Sequence, residues 1–109
     1  MTIHKKSITG GLPPSLDEEW IQELAAGHHV KIERIVSKGH KSPDDFWYDQ
    51  RQNEWVLVLE GNARLFFEEG MQHVEMKAGD YLMIPSGKKH RVTWTDPLVE
   101  TIWLAVFFD

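Results

Sequence analysis

From Val30 to Phe108 the apolar residues come in short runs, broken by clusters of Gly, Pro, Asn, Asp and Ser. Such runs read as β-strands, because β-branched and aromatic side chains suit a pleated, half-buried surface. The predicted strands are VKIERIV at 30–36, a short FWYD at 46–49, EWVLVLEG at 54–61, ARLFFEE at 63–69, QHVEMK at 72–77, YLMI at 81–84, a run opening at His90, and a last run from Glu100 to Phe108. Turn chemistry separates them: Gly61-Asn62, Gly70, Ala78-Gly79-Asp80, Pro85-Ser86-Gly87 and Thr95-Asp96-Pro97. Seven or eight short strands punctuated this way predict an all-β sandwich or barrel.

Before Val30 the period changes. Leu16, Trp20 and Leu24 fall at i, i+4 and i+8, with Ile21 alongside, which is the stripe of an amphipathic helix. Ser15 and Glu18 suit a capping box, and Gly27 suits a stop. The pattern predicts one short N-terminal helix whose stripe docks on the outside of a sheet. Residues 1–14 are polar, end in Pro13-Pro14, and read as a partly ordered tail. Residues 15–109 then form one domain.

Alternation assigns faces. In the run from His90, period two puts His90, Val92 and Trp94 on one side and Arg91, Thr93 and Thr95 on the other. If Val92 and Trp94 face inward, so does His90. An inward histidine opening a strand is a candidate ligand or base. His73 alternates with Glu75 and Lys77 and reads as outward; His40 lies in a loop rich in turn residues.

Bulk composition narrows the classes. At 109 residues the chain suits one domain with one core. A net charge of −5 and the lack of a basic run argue against a nucleic-acid surface. With no cysteine there is neither a disulfide nor a thiolate metal site, which fits a reducing compartment. No apolar run reaches membrane-span length, and the N-terminus lacks the apolar segment of a signal peptide. The expectation is a cytoplasmic protein with no nucleic-acid or membrane partner.

Two stretches carry a family resemblance. Gly79, five residues, Pro85, one residue, Gly87, two residues and His90 resemble the second motif of the cupin superfamily. These are small β-barrels that often hold one metal. The family pattern ends in Asn four residues after the histidine, where this chain has Trp94. Glu54, six residues and Gly61 resemble the second half of the first motif. There the Glu is a metal ligand, preceded in the family by two histidines. Those histidines are missing: one spacing lands on Trp47 and Asp49, the other on Tyr48 and Gln50. The resemblance spans roughly residues 45–108. It implies a cupin-type antiparallel β-barrel, the double-stranded β-helix or jelly-roll-like form.

What the resemblance implies for chemistry divides in two. In the first version Asp49, Glu54 and His90 hold one divalent metal ion at the barrel mouth, with Gln50 as a neutral fourth donor. Mn, Fe, Ni and Zn are not distinguished by this set, and no organic cofactor is indicated. The metal would act as a Lewis acid, or His90 and Glu54 would act as base and acid. In the second version the chain is a metal-free binding or sensor module. Trp47, Trp94, Tyr48 and Gln50 then line a pocket for a small molecule, planar or anionic. Fold alone does not choose the reaction. The family pattern also puts Glu54, Val56 and Val58 inward, leaving Trp55, Leu57 and Leu59 on the other face. IWLAVFF at 102–108 is apolar on both sides too, which one short helix cannot cover. A homodimer is therefore expected.

Overall fold

Alternation along Asn53–Glu60 (β3) sets the inside of the molecule: Glu54, Val56 and Val58 are buried while Trp55, Leu57 and Leu59 are half-exposed. The computed structural model describes all 109 residues. Around β3 it places Trp20–Ala26 (β1), Val30–Ser37 (β2), Asn62–Phe67 (β4), Gln72–Lys77 (β5), Tyr81–Ile84 (β6), His90–Thr95 (β7) and Thr101–Phe108 (β8). A five-stranded sheet runs β1-β2-β8-β3-β6, and a three-stranded sheet runs β5-β4-β7. Every pairing is antiparallel. Val56, Val58, Ile84, Trp103 and Ala105 from the first sheet meet Ala63, Leu65, Phe67 and Met76 from the second, and this is the core. No helix is long and apolar enough to cross a membrane.

Turn chemistry works as the sequence suggests. Gly79 has φ of +94°, and the Asp80 carboxylate accepts the Lys77 backbone N–H at 3.0 Å. Gly61 carries the chain from one sheet to the other at φ of +88°, where an added Cβ would sit 2.5 Å from the Thr101 Cα. Thr101 Oγ1 in turn donates to the Asn62 carbonyl at 3.0 Å.

The expected N-terminal helix does not form. Trp20–Ala26 is strand β1, pairing with β2 from Trp20 opposite Val36 to Ala26 opposite Lys31. The sole helical turn in the molecule is a short 3-10 segment at Glu69–Met71. The helical stripe is local, whereas pairing with β2 extends a whole sheet, and tertiary pairing outweighs propensity differences of a few tenths of a kcal/mol per residue. A bulge at Leu24, between the pairs of Glu23 and Ala25, hides the strand period. Ile21 faces the inter-sheet side, while Trp20 lies on the opposite face with the Arg34 guanidinium 5.0 Å over its ring. Ser7–Gly10 crosses that same face: Arg34, 4% exposed, donates to the carbonyls of Ser7, Ile8 and Gly10 and to Gln22 Oε1. FWYD at 46–49 is not a strand either. It contributes one bridge, Tyr48 to His90, in the connection between β2 and β3.

Candidate functional site

The two motif residues arrive from opposite sheets. Glu54 sits on β3 between Ile84 of β6 and Phe107 of β8. His90 opens β7, opposite Phe67 of β4. They are not on neighbouring strands but meet across the space between the sheets. Glu54 Oε1 lies 3.6 Å from His90 Nε2, with the residues 8% and 4% exposed.

Each side chain is held by named partners. Gln50 Nε2 donates to Glu54 Oε1 at 2.7 Å. His90 Nδ1 lies 2.9 Å from the Lys88 carbonyl. A carbonyl only accepts, so Nδ1 carries a hydrogen and the neutral ring presents the Nε2 lone pair to the interior. Tyr48 exchanges two backbone hydrogen bonds with His90, at 2.7 and 3.1 Å, and stacks its ring on the imidazole at 5.4 Å. The Pro85-Ser86-Gly87 corner is fixed to the same loop, with Gly87 N–H donating to the Gln50 carbonyl at 2.9 Å. Strand alternation therefore aims Glu54 and His90, and the 48–50 loop clamps them.

These groups border a cavity of about 110 Å³, lined by 14 residues of which 9 are apolar. An apolar cavity with a few convergent polar groups is the usual form of a small-molecule site. Besides Glu54, His90 and Gln50, its polar residues are Glu19 and Glu33, and Tyr48 is one of the nine apolar ones. Burial, then the carboxylates of Glu19 and Glu54, raise the Tyr48 phenol above its ordinary pKa, outweighing a hydrogen bond with Ser42.

Three expected site residues lie elsewhere. Asp49 is exposed and does not line the cavity. Trp47 covers the outer side of the small sheet, 5.7 Å from the Phe66 ring, with the Arg91 guanidinium 4.6 Å over its own. Trp94 is 37% exposed and points outward. A β-bulge causes this: Val92 pairs with Leu65 and Trp94 with Arg64, so Thr93 is extra and the alternation flips. Thr95 takes the inward position instead and is 1% exposed.

The donor set does not fit a resident metal. A transition-metal site of this imidazole–carboxylate kind draws on at least three protein ligands. Here one imidazole and one carboxylate converge, the Gln50 amide nitrogen faces that carboxylate, and no group of three ligating side chains assembles.

Three lining residues escape the sequence reading. Glu19 immediately precedes β1, in the stretch that reads as helix, whereas Glu33 lies on β2, where period two with Ile35 puts it on the inward face. Trp103 replaces Trp47 and Trp94 as the cavity tryptophan. Period two does reach it: from Phe107 through Ala105 to Trp103, β8 faces Glu54, Val56 and Val58 in turn.

A model of the cupin domain family matches residues 33–107. Among solved structures, the chain is similar to a "putative mannose-6-phosphate isomerase" from Ralstonia eutropha JMP134, with 39% identity and a TM-score of 0.93, covering 98% of this chain and 99% of that one. It is also similar to a cupin superfamily protein from Desulfitobacterium hafniense DCB-2, at 18% identity and a TM-score of 0.73, covering 89% and 83% of the two chains. A third likeness is to the polyketide cyclase RemF from Streptomyces resistomycificus, at 20% identity and a TM-score of 0.71, covering 84% and 66%. The last two speak for the fold alone. No curated protein matches the sequence.

Proposed function

The chain belongs to the cupin domain family, and from that premise we propose that it binds a small molecule between its sheets and moves a proton on it, using His90 as base without a resident metal. One observation carries this reading: a buried imidazole that lines the cavity, its Nδ1 held by the Lys88 carbonyl and its Nε2 3.6 Å from the Glu54 carboxylate, which would offset the charge the ring gains. The Lys88 carbonyl fixes the tautomer. Gln50 fixes the carboxylate. A positioned base of this kind contributes on the order of 10²–10⁴ in rate. The name of the Ralstonia eutropha protein supports the reaction class, since an aldose–ketose isomerisation transfers a proton between adjacent carbons.

The test is exchange of a carbon-bound proton into heavy water, followed by NMR. Small ketones such as hydroxyacetone and aminoacetone serve as substrates, and the protein is dialysed against EDTA. Wild type is expected to exchange the α-proton, and His90→Gln to slow it by about 10²-fold or more. Exchange that needs an added divalent ion would overturn the metal-free reading. No exchange with any ketone, or equal exchange in His90→Gln, would remove the proton-transfer role.

A further inference from the structure

Resting on the proton-transfer reading above, we infer that the cavity takes a small uncharged hydroxycarbonyl compound, and that the Trp103 indole N–H holds its carbonyl oxygen and the negative charge that oxygen gains in the reaction. Trp103 lines the cavity and is 4% exposed, yet its Nε1 has no hydrogen-bond partner in the protein. It stands in the middle of the large sheet, between Ile35 of β2 and Val58 of β3, and pairing on both sides fixes that position. Buried donors are rarely left without an acceptor. An indole N–H only donates, so what it lacks is a lone pair, and a ligand in the cavity brings one. A carbonyl is the acceptor that suits the base, since it makes the adjacent C–H bond removable.

The rest of the lining suits donors on the ligand. Besides Trp103, its polar groups are the carboxylates of Glu19, Glu33 and Glu54, the His90 imidazole, the Tyr48 hydroxyl and Gln50, whose amide nitrogen is turned to Glu54. Ionised carboxylates only accept, so ligand hydroxyl groups match them. Net charge on the ligand does not. Glu33 already has Lys31 Nζ 3.5 Å away, and the same ammonium lies 5.0 Å over the Phe107 ring. A ligand anion would face three carboxylates with no lysine or arginine in the wall, and like-charge juxtaposition works against binding. The cavity, about 110 Å³, sets the size. It is smaller than the roughly 150 Å³ engineered cavity that takes benzene, so the part of the ligand inside is on the order of six heavy atoms or fewer. The step balances without a co-reactant. His90 takes the proton from the carbon beside the carbonyl. The C–H electron pair forms a carbon–carbon double bond, and the carbonyl π pair moves to the oxygen that Trp103 holds. Once the imidazolium has exchanged with solvent, return of a proton to the same carbon restores the compound, carrying solvent hydrogen.

The experiment uses hydroxyacetone and three relatives of similar size. Butanone replaces its hydroxyl by a methyl, isobutanol replaces its carbonyl by a methyl-bearing carbon, and pyruvate replaces its hydroxymethyl by a carboxylate. Each is titrated into the isotope-labelled full chain, and the five indole N–H signals, one per tryptophan, are followed by NMR after assignment through the backbone. Hydroxyacetone and butanone should move the Trp103 signal downfield, hydroxyacetone at about tenfold lower concentration because it keeps a hydrogen bond to a carboxylate. Isobutanol should leave that signal in place, and pyruvate should not bind. Trp103→Phe keeps a ring and loses the donor. It should slow the heavy-water exchange of hydroxyacetone about 10²-fold, with half-saturation changing far less. Because this variant also alters the core, the wild-type spectra decide the assignment without it. Exchange with no movement of the Trp103 signal, or equal movement with isobutanol, would overturn the Trp103 role and leave proton transfer standing. Movement of the signal without exchange would uphold the ligand class and overturn proton transfer together with the oxyanion role. Pyruvate binding as tightly as hydroxyacetone would overturn the uncharged class. Neither movement nor exchange would overturn both readings.

Discussion

Ionising Tyr48 would set a phenolate beside two carboxylates, and that makes a pH prediction. The folded state raises this pKa above the ordinary 10.0, through burial and then Glu19 and Glu54. A raised folded pKa means the unfolded chain releases the proton first. The stabilisation is therefore complete below about pH 10, and is lost as pH rises from there through the folded pKa. Tyr48→Phe should remove that alkaline loss, with urea melts across the range as the measure. The chain has only two tyrosines, so ultraviolet titration of wild type against the variant isolates Tyr48. An ordinary pKa in that difference would show the carboxylates do not act on the ring. Among individual residues, Glu54 and His90 were legible because motif spacing and alternation agreed on them. Gln50 and Tyr48 followed from flanking Glu54. Trp94 was misread because a bulge leaves no mark in the sequence, and Asp49 and Trp47 because the stretch around them is a loop without a strand period.

Elements were legible where alternation continued unbroken. The boundaries of β5 and β6 match the reading residue for residue, and those of the other strands after Val30 are close to it. The error lay at β1. Seven residues, WIQELAA, satisfy a helical stripe as well as a strand, and only the partner β2 decides between them. Hydrogen exchange tests this directly: β1 amides facing β2 should be protected as a set, in alternation, and uniform fast exchange would show a loose segment. The turn between β3 and β4 offers a sharper test. Gly61→Ala forces a side chain into left-handed backbone and against Thr101. The backbone alone costs about 1–3 kcal/mol, and the overlap adds to it, so the variant should melt well below wild type. Gly70→Ala is the control, since an added Cβ there meets nothing within 4 Å although φ is +76°. Equal losses in the two would mean that backbone conformation, not contact with Thr101, sets the requirement at Gly61.

At the scale of the whole molecule, the five-stranded sheet leaves an apolar outer face. Trp55 and Leu57 on β3, Leu104 and Val106 on β8, and Tyr81 and Met83 on β6 share it. The N-terminal segment crosses this same face at Arg34 on β2, beside Leu104 and away from the β6 edge. At the β6 edge Tyr81 is 66% and Met83 44% exposed, with the Trp55 and Tyr81 rings 5.5 Å apart. With β1 a strand rather than a helix, no element of the chain is left to cover them. A second copy of this chain is the expected cover, because a self-complementary patch closes into a two-fold pair. Light scattering at micromolar concentration should then give about twice 12.7 kDa. Trp55→Glu puts a charge into the middle of that face, on the side away from the cavity. It should give the mass of one chain while the β-sheet circular dichroism spectrum persists. A monomeric wild type would sink the dimer. A Trp55→Glu variant that stays dimeric would move the interface to another surface.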